Sequence, residues 1–442
     1  MVVKVGCGSA YEDERLDWPL DLAKSGEVSY LGFDCLGERT SALAHTQHAI
    51  DQSTGYNKRL PQIVDLFGPY ISQGVKLVGN FGAANPEVAA EITLQRLKAA
   101  GLGGVKVGLI RGDNVLDQVI KQNLELPELG CRVADSPDKV VAADAYSGAA
   151  EIVELLGEGA DFIIGGRTAD SSLYVGPIVH EMGWDLTDWD HVAVACAAGH
   201  LIECSTQVTG GNYLDPPYQD YDDVLRIGYP IAEVDGDDIV ITKLPGSGGV
   251  VNERTVKLQL SYEIHDPSEY LTPDISADFS QAVVEEIGLD RVKVSGITGK
   301  PRPETLKVLV ALDLGWKASC EMSFGGIGCV GRGQLAADIL RRRVEALGSE
   351  VVKLRTDLVG YDSLWSDAVV AQCEPTEVRL RVAARCRTEE GGRAFLQEAR
   401  HLIMATSAVT GWTPSSLDRF IGVTPTFLAR ADVPMSWEIL SS

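Results

Sequence analysis

Five short apolar runs recur through about the first 230 residues: Val2 to Gly6, Tyr30 to Asp34, Val75 to Asn80, Val105 to Ile110 and Asp161 to Gly165. Each is closed by glycine or a polar residue, and amphipathic stretches separate them. Short runs without polar alternation must be buried on both faces, so this pattern generates a parallel sheet covered by helices. It predicts a doubly wound, mostly parallel α/β domain of Rossmann-like type over residues 1–235. Helices are expected over Leu60 to Ser72, Gly148 to Gly157, Ser172 to Met182 and Val192 to Gln207. Another begins at Asn85-Pro86, where the amide caps free N–H groups and proline suits the first helical position. Ala89, Ile92 and Leu97 give that helix one apolar face.

The texture changes near Asp235, where AEVDGDDIVITKLPGSGGVV combines a turn signal, a β-rich run and a Pro/Gly-rich loop. At 442 residues the chain exceeds the usual size of one core. A second, α+β domain is therefore expected over 236–442, closing a cleft against the first. Its strands are read at Val256 to Ile264, Arg291 to Ser295, Thr305 to Leu312 and Glu377 to Ala384, and its helices at Leu335 to Leu347 and Ala394 to Ala408.

A formal net charge of −24 repels phosphate backbones and anionic lipid, which excludes nucleic acid and membrane surfaces as partners. A small anionic substrate stays open, because a few arginines and backbone amides suffice to build a local positive pocket. Nine scattered cysteines without a CxxC pair indicate a reducing compartment. MVVKVGCGSA reads as a first strand and not as a signal peptide, and no run approaches the roughly 20 apolar residues of a bilayer span. A cytoplasmic protein is expected.

Ligands of open parallel sheets bind beyond the carboxyl ends of the strands, and the polar residues gather there. The first run leads into Gly6, Cys7 and Gly8, the second into Asp34, Glu38 and Arg39, the third into Asn80 and Asn85, the fourth into Asp113, and the fifth into Arg167 and Asp170. Gly-Cys-Gly-Ser falls short of the GxGxxG fingerprint and no P-loop is present, so no nucleotide cofactor is expected. Gly6 and Gly8 either permit turns or let a ligand approach. Asp34, Glu38 and Arg39 form an acid/base pair with a carboxylate-binding arginine, or a cap with a surface ion pair. Asn80 is placed to donate to an oxyanion, whereas Asn85 competes as a cap. Arg167, directly after a buried strand and near Asp170, is either half of a structural ion pair or the anion anchor, and a helix N-terminus beside it favours the anchor. His200 and Glu203 share a helical face, as a metal pair, as a base with its orienting carboxylate, or as a packed, hydrogen-bonded feature. They make only half of a metal site, so no metal is assigned. Gly248 belongs to a glycine-rich loop that either closes over a cleft or is a plain turn, and His265 ends a polar cluster able to reach the cleft.

These stretches also carry a likeness. FDCLGERT, NFGAANP, GGRTADSSL, the region from HEMGW to AGHLIECSTQVTGG, KLPGSGGVV, YEIHDPSEYLTPD and KPRPETLKV together resemble the AtuA family of acyclic terpene utilisation proteins, from about residue 3 to about residue 350. The resemblance implies a setting in the degradation of branched acyl-CoA thioesters, and a small accessory protein as partner. Arg111 ahead of Gly112-Asp113 departs from the acidic residue commoner there. The expected activity is a lyase or hydro-lyase acting on a branched or hydroxylated acyl-CoA or carboxylic acid. In it Arg167 holds the anion, Asn80 stabilises an enolate-like oxygen, and Asp34, Glu38 or His200 moves the proton. A CoA thioester would enter as substrate, and a homo-oligomer is expected. Two alternatives stand beside it: a thioester hydrolase or acyl transferase with Cys7 or Cys35 as nucleophile, and a non-catalytic acyl-CoA-binding or scaffold subunit.

Overall fold

The computed structural model describes residues 1–136, 138–216, 223–365, 375–407, 411–412 and 414–441. Two compact units result. The larger comprises Met1–Ser136, Val141–Ala311 and Val423–Ser442; the smaller comprises Pro137–Val140 and Leu312–Gly422.

The larger unit is built on a ten-stranded sheet. Its strands are β1 (Val3–Ser9), β2 (Tyr30–Phe33), β3 (Lys76–Gly79), β4 (Lys106–Arg111), β5 (Phe162–Ile164), β6 (Pro230–Asp235), β7 (Asp238–Lys243), β8 (Val283–Gly288), β9 (Arg291–Ser295) and β10 (Ser436–Ser441). They lie in the order β8-β9-β7-β6-β1-β2-β3-β5-β4-β10. All five expected N-terminal strands are present, and they form the parallel centre β1-β2-β3-β5-β4. Antiparallel strands extend it on both sides, so the sheet as a whole is mixed.

Helices cover both faces, which is why the central strands lack polar alternation. On one face α1 (Asp17–Ser25), α3 (Leu60–Ile71) and α4 (Pro86–Ala99) bring Leu22, Phe67 and Leu97 against Leu31, Leu77 and Phe162. On the other, α6 (Ala150–Gly157), α7 (Ser172–Met182) and α8 (Trp189–Ile202) bring Leu155, Ile178 and Leu201 against Val5, Val78 and Ile163. Helix α8 is buried on every side from Val192 to Ile202, as an all-round apolar helix must be. Ala277, from a three-stranded sheet, and Ile275 just ahead of its strand join the same core. Helices α2 (Glu38–Ile50), α5 (Leu116–Gln122) and α9 (Glu253–Leu260) complete the set used below.

The smaller unit takes its first strand from Leu312 onward in Thr305–Gly325. Then follow α10 (Cys329–Glu345), strands Val351–Val359 and Glu377–Cys386, α11 (Glu389–Ala405), and the last strand Ser416–Ala429 up to Gly422. With the two-residue strand Gly411–Trp412 set aside, these elements follow the β-α-β-β-α-β order of the split βαβ arrangement. Alternate residues Ala318, Cys320, Met322 and Phe324 face both helices, meeting Leu340 of α10 and Phe395 and Leu402 of α11.

Two expectations need correction. The boundary near 235 falls inside the β6–β7 hairpin, whose register runs unbroken from Asp235↔Asp238 to Pro230↔Lys243, so no division lies there. The run Val256 to Ile264 is not a strand: residues 253–260 form α9, because Asn252 and Thr255 make a reciprocal capping box.

Candidate functional site

The ends of β2, β3 and β5 meet. Asn80, wholly buried after β3, accepts from Cys35 N through Oδ1 (2.6 Å) and donates from Nδ2 to Asp34 Oδ1 (2.6 Å). The Leu36 N–H also donates to Asp34 (3.1 Å). Arg167, 1% exposed, follows β5 and donates to the carbonyl of Leu36, to that of Thr168 (3.0 Å) and to Asp170. Its own N–H donates to buried Asp113 (2.6 Å). These side chains therefore tie the loops together. Asn80 has spent its carbonyl oxygen and one N–H internally, and it is wholly buried away from the cavity lining. Arg167 is not an open anion anchor, for carbonyls and Asp170 occupy its terminal nitrogens, while its buried Nε has no partner.

Beside them lies a cavity of about 370 Å³. Ala169, Asp170 and Ser171 line it between β5 and α7, with Tyr146, Glu203, Glu263, Tyr270 and Lys307 as further polar wall. Leu271, Pro273, Leu306 and Phe427 supply apolar surface. Glu203 follows α8, where Oε1 meets His200 Nδ1 at 3.2 Å. The His200 ring is fixed against Tyr270 and Phe279, with centroids 5.2 and 6.0 Å away. Glu203 Oε2 and His200 Nε2 are buried without a protein partner, an arrangement that costs free energy unless something else is bound there. Burial pushes the Glu203 carboxyl up, with His200 pulling the other way. Burial and then the Asp34 charge push the Asp170 carboxyl well up, against the pull of Arg167. Two acids shifted this way in one cavity wall are equipped to give and take protons.

The remaining expected residues have other roles. A Cβ on Gly6 would stand 2.9 Å from Leu22 Cδ1, and one on Gly8 2.6 Å from the Phe33 ring, so both glycines serve packing and not a ligand. Cys7 and Cys35 are buried, and burial pushes both thiols up, which removes the thiolate a nucleophile requires. Asn85 caps α4 and donates to the carbonyls of Gln52 (2.9 Å) and Thr54 (2.8 Å). Gly248 is pinned to the 226–228 segment, its N–H donating to Arg226 O at 2.8 Å, and it forms no lid. His265 and Arg39 are exposed and do not line the cavity. Glu38 is paired with Lys307 (2.7 Å). Arg111 is held by Glu87 and Glu438, both at 2.9 Å.

One cluster was not anticipated. On α2, Ser41 donates to Asp144 Oδ2 (2.5 Å) and His45 Nε2 lies 2.7 Å from Asp144 Oδ1. Burial and the charge of Asp144 push Asp113 up to about 6. Burial opposes the charged form of His45, yet the hydrogen bond and charge of Asp144, with Asp113, raise it overall. Tyr146 and Tyr270 in the cavity wall also escaped notice, as nothing local marks an aromatic as site-lining. Among the described residues no three His, Cys, Asp or Glu side chains group as metal ligands, and no helix is long and apolar enough to cross a membrane.

A family model described as acyclic terpene utilisation family protein AtuA matches residues 3–439. No curated protein matches the chain. Among solved structures, the de novo designed protein Ferredog-Diesel is 14% identical over 23% of this chain and 84% of its own, at a TM-score of 0.16, too slight a likeness to carry an argument.

Proposed function

The chain belongs to the acyclic terpene utilisation AtuA family, and from that premise we propose that it is an enzyme: a lyase or hydro-lyase using acid–base chemistry on a small branched or hydroxylated carboxylic acid or acyl thioester. The observation that carries this reading is the Glu203 carboxyl, oriented by His200 at 3.2 Å, with its second oxygen unpartnered in the wall of a cavity that also presents Asp170. A carboxyl pushed up towards the working pH is a competent proton carrier. Glu203 and Asp170 take the roles of base and acid, His200 positions Glu203, and Arg167 with Asn80 hold the loops that present Asp170. Asp34, near enough to raise Asp170, acts through it.

About 370 Å³ lies at the small end of ligand pockets and suits an acyl group, so the nucleotide part of a CoA ester would stay outside. Helices on both faces of the sheet, and the reversal of strand order between β3 and β5, support the doubly wound reading with the site at a topological switch point. A cytoplasmic setting belongs to the proposal and is supported by the eight free thiols of the described residues. A homo-oligomer and a small accessory protein belong to it on the family resemblance alone. The buried thiols give the hydrolase alternative no support.

The test is turnover of branched 3-hydroxy acids and their CoA thioesters, with water loss followed by absorbance of the α,β-unsaturated product. Glu203→Gln is expected to lower the rate by about 10²–10⁴. Unchanged turnover in that variant, or release of free CoA as the first product, would overturn the reading.

A further inference from the structure

The charged lining of the cavity is three carboxylates, Asp170, Glu203 and Glu263, and one lysine, Lys307, which with Tyr146 forms a cationic, hydrogen-bonding corner. Both groups serve one oxygen that comes from outside the lining: Glu38 Oε1 lies 2.7 Å from Lys307 Nζ and accepts from the Tyr146 hydroxyl at 3.0 Å. The Lys307 ammonium stands 4.9 Å from the centre of the Tyr146 ring, which fixes the pair's geometry. Glu38 opens α2, a helix that buries only Ser41, Ala42 and Ala44 among its 13 residues. The Glu38 and Lys307 side chains are 45% and 43% exposed, so their ion pair is weak and exchangeable.

We propose that Lys307 and Tyr146 form the carboxylate-recognition subsite of the cavity, and that Glu38 is an internal surrogate which a ligand carboxylate displaces. The inference rests on reading the cavity as the substrate site, and it narrows the substrate class. The ligand carries a free carboxylate, as a free acid or the half-thioester of a diacid, with a branched apolar body against Leu271, Leu306 and Phe427. Displacement leaves Glu38 without its partners, and the first turn of α2 is then free to move.

The experiment is calorimetric titration of the full chain with 3-methylbutanoate, using 3-methylbutanamide as its uncharged isostere. The acid is expected to bind at least about tenfold more tightly than the amide. Glu38→Gln, which weakens the competitor, should tighten the acid about tenfold, and Lys307→Met should weaken it about tenfold, with Lys307→Arg recovering part of the loss. Equal affinity for acid and amide, a Glu38→Gln affinity within about twofold of the parent, or no binding of the acid by any variant overturns the proposal. Circular dichroism of each variant separates loss of binding from loss of fold. Glu203→Gln, titrated in parallel, should still bind the acid. If the Glu38 and Lys307 effects hold while Glu203→Gln turns over normally, the acid–base reading fails and the subsite stands; the converse pattern removes the subsite alone.

Discussion

Asn80 shows how a polar residue at a strand end can be structural and still belong to the site. Its amide satisfies the Cys35 N–H and the Asp34 carboxylate at once, both at 2.6 Å and all of it buried. Asn80→Ala is expected to cost about 1–3 kcal/mol, since it leaves the buried Cys35 N–H unpaired and takes from Asp34 one of its two donors, and urea unfolding would show it as a lower midpoint. His45 offers a test by pH. Its folded-state value is raised, so the native protein holds the proton more tightly than the unfolded chain does. The stabilisation is complete below the ordinary histidine value of 6.5 and is lost as pH climbs through the raised one. Asp113, pushed up to about 6, acts with the same sign. His45→Gln should therefore lower Tm by about 1–3 °C near pH 6 and by less near pH 9, as thermal melts would show. At this scale the sequence was half legible. Asp170, His200 and Glu203 stand out because each follows or ends a strongly apolar element. That Arg167 would be consumed by carbonyls is not visible, because its partner Leu36 lies 131 residues away. The Ser41–His45–Asp144 cluster joins residues about a hundred apart and leaves no local signal.

Elements were read best where periodicity and caps agreed. Asn85-Pro86 begins α4 as expected, and Ser172 to Met182 coincides with α7. The failure at 253–260 is instructive: Thr255-Val256-Lys257-Leu258-Gln259-Leu260 alternates like a strand, whereas Thr255, Val256 and Gln259 are the buried residues. The helix starts on Asn252, whose side chain accepts from the Arg254 and Thr255 N–H groups while the Thr255 hydroxyl accepts from the Asn252 N–H. Replacing Asn252 with alanine should cost about 1 kcal/mol, read from the chemical-denaturation midpoint. Glycine in a strand likewise has a packing meaning. Gly8→Ala is expected to destabilise by about 1–3 kcal/mol through overpacking against Phe33, while affinity for any cavity ligand stays the same.

At the scale of the molecule, the sequence foresaw two compact regions and misplaced the division between them. A hairpin rich in Gly and Asp resembles a linker, and only its pairing with β1 shows that the sheet continues through it. The smaller unit holds as many acidic as basic residues, so the net charge of −24 resides in the larger one. Like charges repel across the larger unit and added salt screens them. Calorimetric scans are expected to show its transition rising in temperature between about 0.02 and 0.5 M NaCl, with that of the smaller unit nearly fixed. Among the described residues the large sheet ends on β8 and β10. Along β8, Val283 and Ile287 are exposed, with Glu285 and Glu286 exposed between them. A strand at a sheet edge is a template for the next chain, and two adjacent carboxylates make stacking unfavourable as long as they stay ionised. Acid removes that guard, so concentrated solutions should turn cloudy as pH falls through the carboxylate range, and Glu285→Gln with Glu286→Gln should bring the same turbidity to neutral pH.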